Sequence, residues 1–555
     1  MRPLSVAAPR VAVRAAAVAT VVAGVLATAT ACGPRAPAKI GFVPVPASSG
    51  LRFRHELPCG KLDTLPKSAM GGVAVTDLDG DGLPDVFCVH GGWSEKYAGC
   101  ERPAKTAHHR LFRNLGGMKF EDVTERAGVG FDGFGMGVCV GDIEGDGRPD
   151  LFVAQYGASL LLRNRGDGTF EDVAAKAGIA PGFGAGAAFL DYDRDGDLDL
   201  FVGQYVDTDQ VELGGMGHQA MGDTFPGPAA YQAQPSRLYR NRGDGTFEDV
   251  SIPAGIAKPG KAMGVVATDI DGDGWIDVLV ANDAMRNFVW RNAGNGTFTD
   301  IGATTGLAFG ANAEDRASMG VTVADLDGDG RRDVLMPDTA GGAAYRALDH
   351  GFGERASEWG LPAMSRGYVG WADVGFDADN DGRTDLYRVH GDLRTLQPQP
   401  CFVARNFDGE HFERLEAVVG GPESVGEIQA AGRAAVAADL DADGREDLVV
   451  SVLDGTMRVF RNVTEDGGNW VAVRVAGKAP NPLAIGTIVR GRAGKRALVR
   501  EVTGSTGYIS AGDLKLHFGL GDAGSLDDVV IRWPDGTEQR AGDLAAGREH
   551  VISRK

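Results

Sequence analysis

The sequence predicts an all-β chain: a seven-bladed β-propeller with acidic hairpin loops, followed by a small C-terminal β-sandwich-like domain. Three observations predict it. A nine-residue acidic pattern recurs seven times, and each copy is flanked by short apolar runs of strand length. The strand missing after the last copy stands instead near the N-terminus. Four-stranded units repeated in this way bury their edges by closing a ring.

The first 31 residues read as an export signal. Arg2, Arg10 and Arg14 give a charged start, Ala15 to Leu26 an apolar run, and small residues lead to Cys32. Ala29-Thr30-Ala31-Cys32-Gly33 resembles a bacterial lipobox with Ala29 where leucine is usual, and Ala29-x-Ala31 also suits ordinary signal peptidase. The mature protein is therefore expected to be exported, either extracellular or a cell-surface lipoprotein that meets the membrane only through Cys32. Export permits disulfides, and Cys59 with Cys100 form a candidate pair, whereas Cys88 and Cys139 sit inside apolar strand patterns and read as buried thiols.

The propeller is placed at residues 32–466. Its loops follow Asp-x-Asp-x-Asp-Gly-x-x-Asp. Places one, three, five and nine are Asp77, Asp79, Asp81 and Asp85 in the first loop, then Asp142, Glu144, Asp146 and Asp150 in the second. They are Asp191, Asp193, Asp195 and Asp199 in the third, and Asp269, Asp271, Asp273 and Asp277 in the fourth. The last three loops carry Asp325, Asp327, Asp329 and Asp333; Asp377, Asp379, Asp381 and Asp385; and Asp439, Asp441, Asp443 and Asp447. Apolar runs such as GGVAVT and DVFCV bracket each loop as two antiparallel strands. A third strand ends in an Arg-Asn pair (113–114, 163–164, 240–241, 291–292), and a Phe-Glu-Asp-Val type strand follows at Phe120, Phe170, Phe247 and Phe298, with worn copies at Phe352 and Phe412. After the seventh loop this outer strand is absent. Phe42-Val-Pro-Val45 matches it, so the N-terminus is expected to close the last blade.

Carboxylates at alternate places, with glycine at place six, form an all-oxygen cage suited to calcium, completed by the backbone carbonyl of place seven (Leu83, Arg148, Asp197, Trp275, Arg331, Arg383, Arg445). Flanking strands and the absence of a place-twelve glutamate exclude an EF-hand. Up to seven structural calcium ions follow, one per blade. The acidic balance (net charge -20) also excludes a general nucleic-acid binder, so no nucleic-acid partner is expected.

Equivalent places in a propeller share radius and height. Five places before each loop only glycine or alanine occurs, as an inner strand crowded at the axis demands; one place earlier stands a larger ring that includes Met136, Met263, Met319, Trp371 and Arg433. Five places beyond the loops lies a column that is polar in six blades, His90, Gln155, Gln204, Asn282, Asp338 and His390, and Val452 in the seventh, with Tyr156, Tyr205 and Asp283 directly following three of them. Such a column beside an apolar ring, at the end away from the acidic loops, reads either as a ligand mouth or as strand-end caps. Used catalytically, the mouth would employ His90, His390, Asp338, Tyr156 or Tyr205 as acids and bases. A long connection, 207–236, holds His218 as a further candidate.

From Gly467 the acidic loops cease, and apolar runs around Trp470, GSTGYIS (504–510), LHFGLGD (516–522) and VVIRWPDG (529–536) define a β-domain over 467–555 in which His517 reads as a packed core residue. Together, the DxDxDGxxD blades with RNxGDGTFEDV, then HFGLGD and WPDG, resemble FG-GAP/VCBS-repeat proteins of the ASPIC/UnbV (cartilage acidic protein 1-like) family. The resemblance implies a calcium-stabilised propeller that binds a protein, glycan or small molecule on the face opposite the metal loops. It implies as an alternative an enzyme of secondary metabolism, similar to UnbV-type proteins of enediyne biosynthesis, acting on a polyketide-derived intermediate in the axial pocket.

Overall fold

A computed structural model describes residues 38–92, 108–211, 225–365, 367–415 and 428–555. The export segment with Cys32, together with Cys100 and His218, lies outside the described residues. Residues 38–555 form one compact unit, and among the described residues no helix is long and apolar enough to cross a membrane.

The fold is a β-propeller. In the first blade Val73–Thr76, Asp85–Cys88, Arg110–Asn114 and Phe120–Asp122 pair in sequence order, all antiparallel. The same order recurs through the next five blades. In the seventh, Gly432–Ala438, Asp447–Val452 and Arg458–Asn462 are joined by Phe42–Pro44 from the N-terminus. Phe42 faces Asn462 just as Phe120 faces Asn114 in the first blade. Phe42 is wholly buried, so the seam is sealed by an aromatic side chain as well as by strand pairing.

The innermost strands crowd the axis. A Cβ on Gly137 would lie 2.4 Å from the carbonyl oxygen of Ala185, and one on Gly186 would lie 2.3 Å from that of Met263. Only a residue without a side chain lets neighbouring inner strands approach so closely. The strands bulge at this level, with register shifts between Gly135 and Gly137, and between Gly184 and Ala187.

The C-terminal strands form a two-sheet sandwich. Leu516–Gly521, Asn469–Ala476 and Arg548–Ser553 make one sheet; Arg496–Glu501, Ile488–Ala493, Ser525–Arg532 and Glu538–Ala545 make the other. A continuous apolar cluster joins Val471, Phe518 and Ile531 of this sandwich to Phe189 and Leu200 of the propeller.

A finger of the sandwich, residues 504–511, enters the propeller axis. It trades backbone bonds with inner strands of several blades: Val140 N–H donates to Gly504 O (2.8 Å), Val321 N–H to Gly507 O (2.9 Å), Val138 N–H to Ile509 O (3.1 Å) and Val75 N–H to Ala511 O (3.0 Å). At its tip the Tyr508 hydroxyl donates to Ala69 O at 2.7 Å, and its ring meets Trp371 edge-on, centroids 5.2 Å apart. The Arg433 guanidinium stacks 4.0 Å from the Trp371 ring. Tyr508 and Trp371 are completely buried.

Truncation of Tyr508 to alanine removes a buried ring and a satisfied hydroxyl, so we expect a loss of about 3–5 kcal/mol in denaturant unfolding. Propeller and sandwich should melt in one transition in the parent chain. Two separate transitions there would contradict the shared axis.

Candidate metal centres

Every acidic loop is held by the same bonds. At place nine, one carboxylate oxygen accepts the N–H of place two (2.9–3.1 Å) in all seven loops. Its other oxygen accepts the N–H at the end of the third strand (2.6–2.9 Å). At place one the carboxylate closes the turn by accepting the N–H of the place-six glycine, as Asp77 does from Gly82 at 2.9 Å and Asp142 from Gly147 at 2.7 Å. Place five accepts the N–H of place seven, as Asp81 does from Leu83.

These bonds gather the carboxylates. Ligand oxygens of Asp77, Asp79 and Asp85 lie within 4.8 Å of one another; so do those of Asp191, Asp193 and Asp199, of Asp325, Asp327 and Asp333, and of Asp377, Asp379 and Asp385. In the fourth loop the group is Asp269, Asp271 and Asp273. Buried oxygens without a hydrogen-bond partner point to a missing positive charge: Asp191 Oδ1, Asp269 Oδ1, Asp379 Oδ1 and Asp441 Oδ1. An all-oxygen donor set with such orphans fits a hard divalent cation.

Burial raises the place-nine carboxyls, and neighbouring carboxylates add to the rise. Asp85 and Asp333 move to about 7, Asp150 and Asp277 to about 8, and Asp199, Asp385 and Asp447 well above the ordinary range. The two N–H donors oppose this shift without cancelling it. A cation in the cage restores the ionised form at neutral pH.

Two side chains per blade were missed by reading the loops alone, although the recurring Arg-Asn pair marks them. The arginine reaches the outer oxygens of places three and five: Arg113 meets Asp79 and Asp81, Arg240 meets Asp193 and Asp195, and Arg291 meets Asp271 and Asp273. The asparagine staples blades together. Its Nδ2 donates to place eight of its own loop and to place two of the preceding blade, as Asn241 does to Leu198 O (3.2 Å) and Ile143 O (3.0 Å). Asn114, Asn164, Asn292, Asn406 and Asn462 repeat the arrangement. Asn114 thereby crosses the seam to Leu440 of the seventh blade. In the fifth blade Ala347 replaces the asparagine.

The sandwich covers this face. Arg474 pairs with Asp77 (3.3 Å), Arg532 with Asp269 (2.9 Å), and Arg496 donates to Asp381 O (2.8 Å). Trp470 packs so closely on Gly444 that a Cβ there would sit 1.9 Å from its ring, and Pro480 similarly crowds Gly145 and Gly196. Ala497 approaches Gly330 of the fifth loop. His517, expected in a core, instead lies half-buried at this interface, with Nε2 2.7 Å from Asn380 Oδ1.

The opposite end holds the polar column, where each side chain is buried and engaged. His90 Nε2 accepts the Glu56 N–H (3.1 Å), and its ring stacks on His55 at 5.1 Å. Gln155 meets His109 (2.9 Å), and Gln204 accepts the Phe183 N–H (2.9 Å). Asn282 accepts the Lys261 N–H (2.9 Å), Tyr205 donates to Asp283 (2.5 Å), and His390 Nδ1 faces Pro400 O (2.6 Å). Asp338 pairs with Arg316 and caps the Ala340 and Gly342 N–H groups. Burial lowers His90 to about 4 and His390 to about 3, so both are neutral near pH 7. Tyr156 alone among these candidates is partly exposed, its hydroxyl 3.2 Å from Thr208 Oγ1. The ring of Met136, Met263, Met319, Trp371 and Arg433 is fully buried; the first four pack in one cluster with Tyr508 and Ile509 while Arg433 stacks on Trp371, so the finger takes the axial space beside them.

Family models match two parts of the chain. One, described as FG-GAP-like repeat, matches residues 77–153, 142–202, 229–280 and 269–336; another, described as ASPIC and UnbV, matches 477–555. Cartilage acidic protein 1 of Mus musculus is 27% identical over 85% of this chain and 72% of its own length, and that of Homo sapiens 26% identical over 88% and 72%. The solved BP39L lectin of Burkholderia pseudomallei is 12% identical, covering 72% of this chain and 97% of its own, with a TM-score of 0.41.

Asn241→Ala leaves two buried carbonyls without their donor, and we expect a cost of about 1–3 kcal/mol in denaturant unfolding. For chelated protein the raised aspartates set the pH dependence. The folded chain keeps protons that the unfolded chain releases between about pH 4 and 8, so its stability falls as pH rises through that window. A lower Tm at pH 8 than at pH 5.5 in chelator is expected, with calcium removing the difference; a Tm that rises with pH in chelator would falsify this assignment.

Proposed function

Because the chain belongs to the FG-GAP-like repeat proteins that carry an ASPIC and UnbV domain, we propose that it is an exported, calcium-stabilised binding protein. Its ligand, a protein, a glycan or a small molecule, docks at the propeller end opposite the acidic loops. One observation carries this reading: the sandwich meets all seven acidic loops and sends its finger into the axis from that side. Most of the loop face is thus covered by intramolecular contact, and the whole of the other end is left for a partner. That end is built from loops on a rigid ring, the arrangement binding sites favour.

Calcium has a structural role in this reading. The cages lie under the sandwich, their place-nine carboxylates brace the hairpins, and nothing in them resembles a reaction centre. Cations there oppose the mutual repulsion of buried carboxylates and tie the loops to a fixed shape. Export is supported by the signal pattern of residues 1–31, with Cys32 as the lipid acceptor if the lipobox is used. The acid–base candidates support no catalytic reading, since the histidines are buried and neutral and Asp338 is committed to Arg316.

Calcium titration by calorimetry should give several sites per chain, and chelation should lower Tm, each occupied site contributing about 2–3 kcal/mol at a hundredfold excess over Kd. Unchanged Tm after exhaustive chelation would remove the structural role. Once a ligand is captured, Tyr156→Ser should weaken its binding, whereas Asp244→Asn, an exposed change on the acidic side, should not. The reverse pattern would place the ligand on the wrong face for this proposal.

A further inference from the structure

Between the fourth and fifth acidic loops lies a cleft of about 630 Å3, roofed by the sandwich strand that carries Arg490. The corresponding space between the fifth and sixth loops is about 110 Å3, and that between the first and second blades about 400 Å3. The cleft opens where the blade staple is missing. Ala347 lines it, in the place where every other blade has asparagine reaching toward its neighbour's loop, and Ile270 of the fourth loop lines it too.

Its charges are unequal in their commitments. Arg291 is held by Asp271 and Asp273, and Arg331 by Asp329 (2.6 Å) and Asp349 (2.8 Å). Arg332 pairs with Glu501. Arg490 is paired through its backbone with Val499 and Val530, and its exposed side chain makes no hydrogen bond or ion pair among the described residues. The charges that bear on it most are the like-signed Arg332 and Arg532, ahead of Asp269 and Glu538. Across the cleft, Asp269 is 2% exposed and its Oδ1 has no hydrogen-bond partner. The fourth loop also differs from its neighbours in grouping places one, three and five, with Asp277 left to its two N–H bonds. Asp269 and Asp271 line the cleft and Asp273 does not, so a cation held by the three would border the cleft through two of its ligands.

We propose that this cleft binds a sugar bearing an oxyanion, a uronate carboxylate or a sulfate ester, gripped between Arg490 and the cation of the fourth loop. The cation is the calcium proposed above, so this inference rests on that reading for one loop. An uncommitted guanidinium opposite a hard cation selects an oxyanion, which can meet both at once. The volume exceeds what an inorganic anion fills and leaves room for a body attached to it. Thr304 and Thr305, whose hydroxyls donate to Ile301 O and keep only acceptor capacity, line the walls with Leu348 and Phe352, a polar and apolar mixture that suits a pyranose.

The test is calorimetry on the mature chain in calcium, with methyl glucuronide, glucose 6-sulfate and glucose as probes. At least one anionic sugar should bind, with glucose at least about tenfold weaker, and the two anions separate carboxylate from sulfate recognition. Arg490→Gln should weaken the anionic sugar about tenfold. Ala347→Asn should fill the cleft and abolish binding while keeping or raising Tm, which separates loss of the site from loss of the fold. Asp271→Asn should remove one calcium and weaken the sugar together. Equal binding of glucose, no binding of either anion, or undiminished binding in both Arg490→Gln and Ala347→Asn overturns the site. Loss of sugar in those two variants, with a calcium count unaltered by Asp271→Asn, overturns the cation half and with it the calcium reading for that loop.

Discussion

At place nine of each acidic loop a carboxylate accepts N–H bonds from two segments that arrive from different directions, the start of its own loop and the end of the third strand. A two-stranded hairpin has no intrinsic reason to present a third strand at a fixed height. Here the aspartate supplies one, because its two oxygens fix both partners to within hydrogen-bond distance. Repeated in every blade, it sets the level at which the third strand ends, and from that level the arginine reaches the loop's outer oxygens while the asparagine, in every blade but the fifth, reaches the preceding blade. Burial of this carboxylate is what makes the arrangement costly without a cation, and the cage formed by its neighbours is what a cation would relieve.

Ring closure follows from the same geometry. Strand pairing alone holds each blade, but neighbouring blades touch mainly through apolar side chains, which are non-directional. The asparagine adds direction, with one bond into its own loop and one into the previous blade's loop. Across the seam, where the seventh blade borrows its outer strand from Phe42–Pro44, Asn114 makes the same link as elsewhere. Closure is therefore reinforced at two radii, by the borrowed strand outside and by the staple near the loops.

Much of this could be read from the chain before any coordinates. The spacing of the aspartates and the flanking apolar runs gave the four-strand unit, and Phe42-Val-Pro-Val45 gave the closing strand, because both depend on local pattern that repetition amplifies. The glycine column was legible for the same reason, since a requirement imposed seven times leaves a visible column. The finger was not. Residues 504–511 occur once, and their destination depends on contacts with Val75, Val138, Val140 and Val321, which are far away in the sequence. Nothing local in GSTGYIS distinguishes a surface turn from an axial plug. The apolar ring around Trp371 thus read as a candidate ligand pocket when its partner is the chain's own Tyr508. His517 was misplaced by a related limit: flanking Leu516 and Phe518 face the sandwich interior, and strand alternation turns the histidine outward, onto Asn380.

Ala347 shows how such a ring tolerates a defect. A single missing staple removes one directional bond between the fourth and fifth blades, but the backbone N–H of Ala347 still reaches Asp333 at 2.8 Å, so the loop itself keeps its shape. The sandwich bridges the gap from above: Arg532 holds Asp269 of the fourth loop, and Glu501 takes Arg332 from the fifth. Those two ion pairs join the fourth and fifth blades through the domain that covers them, replacing a short link with a longer one. The result is a wider space at one inter-blade boundary without an open seam. A repeat protein that varies one unit while its cover spans the variation can keep the ring rigid and still make one boundary chemically distinct from the other six.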